Sequence, residues 1–225
     1  MKKSIKIANA GGFWGDDPTA LYRQLTGGDV DYVTMDFLAE VTMSILQKQK
    51  NRDPARGYAH DFIVMLEKSL PVLLEKKVTV ITNAGGVNPH GCAASIKKLA
   101  EKLGLNPKIA VIDGDDILSD LHSTSKSASL DNMETGQKLS DIQDRISAAN
   151  IYLGALPVKD ALKDKPDIII TGRVTDTGIT LGPMLYEFGW DTSDWDKLAS
   201  GIVACLLYTS PSPRDATLSR MPSSA

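Results

Sequence analysis

The sequence has few of the residues that mark disulfide-rich, zinc-binding or secreted proteins. It contains only two cysteines, Cys92 and Cys205, and three histidines in 225 residues. Two cysteines make no disulfide framework, and neither an H-x-x-x-H nor a C-x-x-C pattern occurs. These scarcities argue against a disulfide-stabilised domain and against a zinc enzyme, and they favour a reducing compartment.

Clustered positive charge and long apolar runs are also absent. The net charge is −3, the pI is about 5.6, and basic residues occur only in short pairs such as Lys97-Lys98. Nucleic-acid and anionic-membrane surfaces carry basic clusters, and a spanning helix needs about 18 apolar residues. The start, Met1 to Ser4, leads into no apolar signal segment. We therefore expect a cytoplasmic protein without a nucleic-acid or membrane partner.

What the sequence does contain is a regular alternation of strand and helix patterns. A composition of 42% hydrophobic and 24% charged residues is typical of a globular domain. Short β-branched runs are separated by amphipathic stretches with helical spacing, which predicts βαβ units. The expected fold is a three-layer α/β domain with a mainly parallel sheet, similar to the Rossmann type. The strands are predicted at residues 5–10, 32–37, 78–82, 108–113, 146–155 and 167–171, and residues 119–144 are predicted to form a loop.

The segment from Val78 to Ala93 is the clearest of these units. A strand-like run ends at the turn Asn83-Ala84-Gly85-Gly86, and Asn88 followed by Pro89 is a typical helix start. The same four residues, Asn-Ala-Gly-Gly, follow the first predicted strand at positions 9–12. Open α/β proteins bind ligands at the carboxyl ends of their strands, where such turns lie. We predict that the two turns frame a site.

Polar residues follow nearly every predicted strand and therefore supply candidates for this site. A buried carboxylate can act as a general base, an arginine can clamp an anion, and turn N–H groups can hold an enolate oxygen. The candidates for catalysis are Asp36, Asp115 and Arg173. The candidates for substrate binding are Gly11, Gly12, Trp14, Asn83, Gly85, Gly86, Asn88 and Asp176.

Each candidate also has a structural interpretation. Asp176 can cap a helix, and Asp36 can form an ion pair. Asp113, Asp115 and Asp116 could hold Mg²⁺, but the same residues suit a solvated acidic turn. We therefore assign no metal site and identify no cofactor.

The first glycine turn leaves a second functional class open. Gly11, Gly12 and Gly15 follow the first strand and Asp36 ends the second, as in an NAD(P)-dependent oxidoreductase. The spacing is Gly-Gly-x-x-Gly rather than Gly-x-Gly-x-x-Gly, and the bulky Phe13-Trp14 pair would obstruct a pyrophosphate. A non-catalytic subunit that acts as a scaffold, binding a small molecule or a partner enzyme, is the other alternative.

The end of the sequence departs from the α/β pattern. From about residue 205 it becomes a string rich in proline and serine without periodicity. This string resembles a translated sequencing adapter. We expect residues 1–204 to form an incomplete α/β domain and residues 205–225 to be a non-native tail, with a native disordered tail as the alternative.

Several motifs together resemble the N-terminal domain of the acyclic terpene utilisation A (AtuA-like) family. The similarity is collinear over about residues 5 to 204, which is more specific than any single motif. It is carried by Gly11-Gly12-Phe13-Trp14-Gly15-Asp16, residues 31–44, Arg52-Asp53-Pro54, Thr82 to Pro89, Thr171-Gly172-Arg173 and Glu187-Phe188-Gly189-Trp190.

This resemblance implies a bacterial cytoplasmic protein of acyclic isoprenoid catabolism, with a further portion and a small domain following. It implies a branched acyl-CoA thioester as the substrate, and we expect lyase or hydratase chemistry. A homo-oligomer, or a complex with enzymes of an acyl-CoA carboxylase pathway, is the expected assembly. The resemblance assigns no catalytic residues, so the candidates above rest on their chemistry.

Overall fold

A five-stranded sheet forms the centre of the protein. The computed structural model describes residues 2–121 and 130–209. All strand pairs are parallel, and the strand order is β1-β2-β3-β5-β4. The predicted three-layer α/β fold is confirmed. The strands are β1 (Ile7–Asn9), β2 (Tyr32–Met35), β3 (Thr79–Thr82), β4 (Ile109–Ile112) and β5 (Ile168–Thr171).

Seven α-helices within the described residues flank this sheet. The helix α4 begins as its sequence predicts, because the Asn88 side chain accepts a hydrogen bond from the Gly91 N–H and Pro89 occupies the first turn. The helices are α1 (Ala20–Gly27), α2 (Glu40–Arg52), α3 (His60–Lys76), α4 (Pro89–Lys102), α5 (Leu156–Leu162), α6 (Gly178–Phe188) and α7 (Trp195–Thr209). None of them is both long enough and apolar enough to cross a bilayer.

The two faces of the sheet have separate hydrophobic cores. Successive side chains of a strand point to opposite faces, so Val80 packs with α1, α3 and α4, whereas Ile81 packs with α5 and α6. In β5, Ile168, Ile169 and Ile170 are all fully buried, as expected for a parallel sheet covered on both sides. The alternation defines the three layers.

The strand order places β2, β3 and β5 side by side. The chain builds β1, β2 and β3 in one direction, continues to β4 at the far edge, and returns to insert β5. Right-handed crossovers place forward and returning connections on opposite faces, which agrees with α5 packing opposite α1, α3 and α4. The carboxyl ends of β2, β3 and β5 consequently meet at one edge.

The prediction of a strand over residues 146–155 is wrong. This segment forms only isolated bridges, from Asn150 to Asp116 and from Leu153 to Val174. Its main chain bonds to the loops that follow β4 and β5 rather than to a strand, with the Ile151 N–H donating to the Asp115 carbonyl at 2.8 Å. Because it crosses the strand ends instead of joining the sheet, Ile151 and Tyr152 stay 45% and 49% exposed.

The predicted tail falls largely outside the described part of the chain. Helix α7 continues past Cys205 to Thr209, and residues 210–225 lie outside the described residues. The division into residues 1–204 and 205–225 therefore stays a prediction.

Candidate active site

Arg173, directly after β5, is a buried cation at the carboxyl edge of the sheet. The residue is only 4% exposed, and its Nη1 donates to the Leu38 carbonyl at 2.9 Å. Carboxylate oxygens of Asp176 and Glu40 lie 3.4 and 3.7 Å from the guanidinium nitrogens. Its buried Nε has no hydrogen-bond partner within the described residues. Buried donors normally have a partner, so this nitrogen is an unsatisfied donor at the strand ends.

Residues 146–155, called the crossing segment below, fix the plane of this guanidinium group through Tyr152. The Arg173 Cζ lies 4.0 Å from the centre of the Tyr152 ring, and the Tyr152 hydroxyl donates to the Glu40 carboxylate. Stacking of this kind contributes about 0.5–2 kcal/mol. Sequence reasoning misses Tyr152, because a tyrosine in a segment with strand composition gives no signal of this contact.

Asp115, after β4, holds the backbone of the β5 turn. Its carboxylate accepts hydrogen bonds from the Arg173 N–H at 2.8 Å and from Asn150 Nδ2 at 3.0 Å. Burial raises the pKa of this carboxyl, and the two hydrogen bonds oppose that rise. A Cβ on Gly172 would lie 2.2 Å from Asp115 Oδ1, so this close approach requires glycine. Asp115 thus positions Arg173, and its role as a base stays a prediction.

Asp36 and Asn83 form a buried pair at the ends of β2 and β3. Asn83 Nδ2 donates to Asp36 Oδ1 at 2.6 Å, and the Leu38 N–H donates to the same oxygen at 3.1 Å. Asn83 Oδ1 accepts the Phe37 N–H at 2.7 Å. Asp36 Oδ2 takes no hydrogen bond from any residue in the described ranges. Hydrogen bonds therefore fix Oδ1 of Asp36, whereas Oδ2 is left without a hydrogen bond from the described residues.

The surroundings of Asp36 change its acidity. Burial raises the pKa of Asp36 to about 6, against the opposing effect of the Asn83 and Leu38 hydrogen bonds. The charge of Asp176 also raises this pKa, whereas that of Arg173 lowers it. A carboxyl group with such a pKa exchanges protons near neutral pH.

The Asp36→Asn variant should reveal this shift in the pH dependence of stability. The pKa of Asp36 rises from 3.8 to about 6 on folding, so the folded state binds the extra proton, and the contribution of Asp36 to stability increases as pH falls from 7 towards 4. Relative to the variant, wild type should gain up to about 3 kcal/mol over this range. Urea unfolding at several pH values measures it.

The Asp29→Asn variant is the matched control, because the Asp29 side chain is 93% exposed. Its stability should run parallel to that of wild type between pH 7 and 4. A constant difference between wild type and Asp36→Asn would contradict the raised pKa.

The second glycine turn is buried and supports the candidate site through hydrogen bonds within the protein. The Gly86 N–H donates to the Asn83 carbonyl at 3.1 Å, and Gly86 has a φ of 55°. Asn88 caps α4 and also donates to the carbonyls of Pro54 and Arg56. These contacts give the turn a structural role, and binding of an enolate oxygen by Gly85 and Gly86 stays a prediction.

The first glycine turn is separated from the second by the end of β2 and connects directly to Asp36. The Asp36 N–H donates to the Gly11 carbonyl at 2.9 Å, and the Gly12 N–H donates to Asp16 Oδ2 at 3.0 Å. Trp14 Nε1 donates to Asp61 Oδ2 at 2.8 Å, which pins the loop to α3. These bonds connect the loop to β2 and α3.

The acidic residues after β4 do not converge on one point. Asp113 bonds to His90 Nε2 at 2.6 Å on the surface, while Asp115 turns inward to Arg173. Within residues 2–121 and 130–209, no group of three potential metal ligands occurs. The Mg²⁺ hypothesis thus gains no support from these side chains.

Arg173 opens onto a cleft of about 340 Å³ between α2 and the crossing segment. The lining combines polar side chains with the apolar Met43 and Ile146, and Lys48 adds a second positive charge. Residues that line this cleft include Glu40, Ser44, Gln47, Lys48, Asn51, Asn150 and Tyr152. A ligand with an anionic or carbonyl oxygen can enter here and reach the arginine.

The fold and site define a three-layer α/β protein with a buried arginine and carboxylate at the carboxyl ends of its central strands. Residues 5–208 match the acyclic terpene utilisation family protein AtuA, and the chain belongs to this family. The predicted family resemblance is confirmed, and the family implies involvement in acyclic terpene utilisation. No curated protein and no solved structure matches the chain.

Proposed function

We propose that the protein is a catabolic enzyme that acts on a branched acyl-CoA thioester by lyase or hydratase chemistry. Family membership supports a role of the protein in acyclic terpene utilisation. The observation that carries the chemistry is the combination of Asp36, with a raised pKa and a free Oδ2, and Arg173, with a buried and unpartnered Nε.

Lyase and hydratase reactions next to a thioester share one requirement. A proton moves to or from a carbon near the carbonyl group, and negative charge develops on the carbonyl oxygen. Asp36 Oδ2 would accept or return the proton, because its pKa of about 6 leaves it mostly ionised yet basic at pH 7. Arg173 Nε would donate to the oxygen as charge develops.

The positions of the two groups are set before substrate binds. Tyr152, Asp115 and the Leu38 carbonyl hold Arg173, and Asn83 holds Asp36. Preorganised groups in a site of low dielectric stabilise developing charge without reorganising at the moment of reaction. This arrangement favours catalysis over passive binding.

Substitution of the two central residues tests the proposal. Asp36→Asn should lower turnover of a branched acyl-CoA by about 10²- to 10⁴-fold, since it removes the base. Arg173→Ala should lower it by about 10²- to 10³-fold, since it removes a donor to the oxyanion. Steady-state assays of lyase and hydratase products measure both effects, and Asp29→Asn and Arg23→Ala are exposed controls.

Folded variants that turn over at the wild-type rate would contradict the assignment. Thermal unfolding of each variant separates loss of chemistry from loss of fold. Arg173→Lys adds a finer test, because lysine keeps the charge but cannot reproduce the stacked planar donor; its turnover should stay well below wild type.

The dinucleotide alternative would use the same oxygen of Asp36 as the proposed base, because Oδ1 is bonded to Asn83 and Leu38 and only Oδ2 is left for a ribose hydroxyl. A thermal-shift screen with branched acyl-CoA, free CoA, NAD and NADP distinguishes the classes. Stabilisation by NAD or NADP alone would favour the NAD(P)-dependent oxidoreductase. Binding of acyl-CoA without turnover would favour the scaffold.

A further inference from the structure

We propose that the cleft beside Arg173 binds the carboxylate group of a small ligand, and that the Glu40 side chain occupies the position of this carboxylate until the ligand displaces it. Glu40, Tyr152 and Arg173 line the same cleft. The ligand would take over the contacts of Glu40 with the other two residues. The inference goes beyond the proposed function, because it concerns the Tyr152 hydroxyl and Nη2 of Arg173 and can be tested without turnover.

The contacts of Glu40 show which chemical group these two donors accept. Glu40 Oε1 accepts the hydrogen bond from the Tyr152 hydroxyl and lies 3.7 Å from Arg173 Nη2. The Tyr152 hydrogen bond lowers the pKa of Glu40, so the group held here is an ionised carboxylate at neutral pH. A hydroxyl donor and a cation thus converge on one carboxylate oxygen, and charge-assisted pairing of this kind is how proteins recognise carboxylates.

Glu40 is held weakly enough to be displaced. Its side chain is 78% exposed, whereas that of Arg173 is 5% exposed. The distance of 3.7 Å to Nη2 is too long for a hydrogen bond, and Nη2 makes no hydrogen bond to any residue within 2–121 and 130–209. Exposed ion pairs contribute little to stability. A ligand carboxylate can therefore exchange with that of Glu40 while the buried arginine stays in place.

The charges around the cleft favour an anion once the Glu40 side chain has moved away. Glu40 is the first residue of α2, and the N-cap Ala39 supplies no side-chain acceptor, so the N–H groups of the first turn add positive potential there. Lys48, about two turns further along α2, lines the cleft as a second cation. The Asp176 carboxylate lies 3.4 Å from Nη1 of Arg173, which leaves Nη2 to the ligand.

An NMR titration with butyrate tests the inference, with butyramide as its neutral counterpart of the same shape. Wild type should bind butyrate about tenfold more tightly than butyramide, because only the carboxylate can pair with a cation. The side-chain N–H resonances of Arg173 report binding at this cleft. Inorganic phosphate probes the effect of charge alone and should bind more weakly than butyrate.

The Glu40→Ala variant removes the internal carboxylate and should tighten butyrate binding by about three- to tenfold. The reason is that the ligand no longer has to break the bond between Glu40 and Tyr152 or to face a like charge. Asp29→Ala is the matched control, since it makes the same change in net charge. Asp29 is 93% exposed and does not line the cleft, so its replacement should change the affinity by less than about twofold.

The Tyr152→Phe variant separates displacement of Glu40 from a structural role of Tyr152. It removes the hydroxyl donor and keeps the ring that stacks on the guanidinium group. In the Glu40→Ala background it should weaken butyrate binding about tenfold. With Glu40 present its effect should be much smaller, because ligand and Glu40 lose the same hydrogen bond; this non-additivity is the signature of competition for one donor. Tyr22→Phe, at a tyrosine outside the cleft, is the control.

Each contrary result overturns the inference. These results are no butyrate binding by wild type and Glu40→Ala, equal affinities of Glu40→Ala and Asp29→Ala, or an equal effect of Tyr152→Phe with and without Glu40. Butyramide or phosphate binding as tight as that of butyrate would also overturn it. Failure of the proposed function looks different: Asp36→Asn and Arg173→Ala would turn over acyl-CoA normally, while Glu40→Ala would still bind butyrate more tightly than wild type.

Discussion

The Gly85→Ala variant is expected to lose about 3 kcal/mol of unfolding free energy, because the turn after β3 has no space for a side chain. A Cβ at this position would lie 2.4 Å from the Thr171 carbonyl oxygen and 2.8 Å from Pro89 Cβ. The first contact is with the backbone of β5, which cannot rotate away, so β3 and β5 must separate. Urea denaturation measures the loss.

Gly27→Ala is the matched control for this substitution. Gly27 is the last residue of α1, and a Cβ there meets nothing within 4 Å. Its replacement should be neutral or stabilise by up to about 1 kcal/mol. Equal losses in the two variants would show that the close approach of β3 and β5 does not limit residue 85.

The Phe62→Ala variant is expected to lose about 4 kcal/mol, within the range for deletion of a buried aromatic ring. Phe62 is fully buried, and its ring lies edge-on to Phe37 with centroids 6.1 Å apart. Denaturant unfolding measures the loss.

Val64→Ala on the same helix is the control for Phe62→Ala. Val64 is 61% exposed, and its truncation should change stability by less than about 0.5 kcal/mol. If Phe62→Ala were no more destabilising than Val64→Ala, the ring would not be part of the core that supports α3.

Asp36 and Arg173 show how much of the candidate site can be predicted from the sequence. Each residue is a candidate because it follows a predicted strand, and both strands are present and end at the same edge of the sheet. The partners of these residues could not be predicted. Asn83 is expected from the sequence to bind substrate, yet its amide bonds to Asp36, and the Leu38 carbonyl that accepts from Arg173 belongs to a residue 135 positions away.

The segment from residue 146 to 155 shows where the pattern misleads. Its apolar and β-branched composition predicts a strand, but composition does not show whether a neighbouring strand edge is available. The chain instead passes over the strand ends, and only there can Tyr152 stack on Arg173. The same crossing forms one wall of the cleft beside Arg173.

Local chemistry in the sequence determined the five strands and the start of α4. β-branched runs form the strands, Asn88 and Pro89 start α4, and adjacent glycines make the tight turn before it. The tertiary structure alone decided the order β1-β2-β3-β5-β4, and with it which strand ends meet. That order depends on how helices cover both faces of the sheet, a packing of residues far apart in the chain that no local pattern encodes.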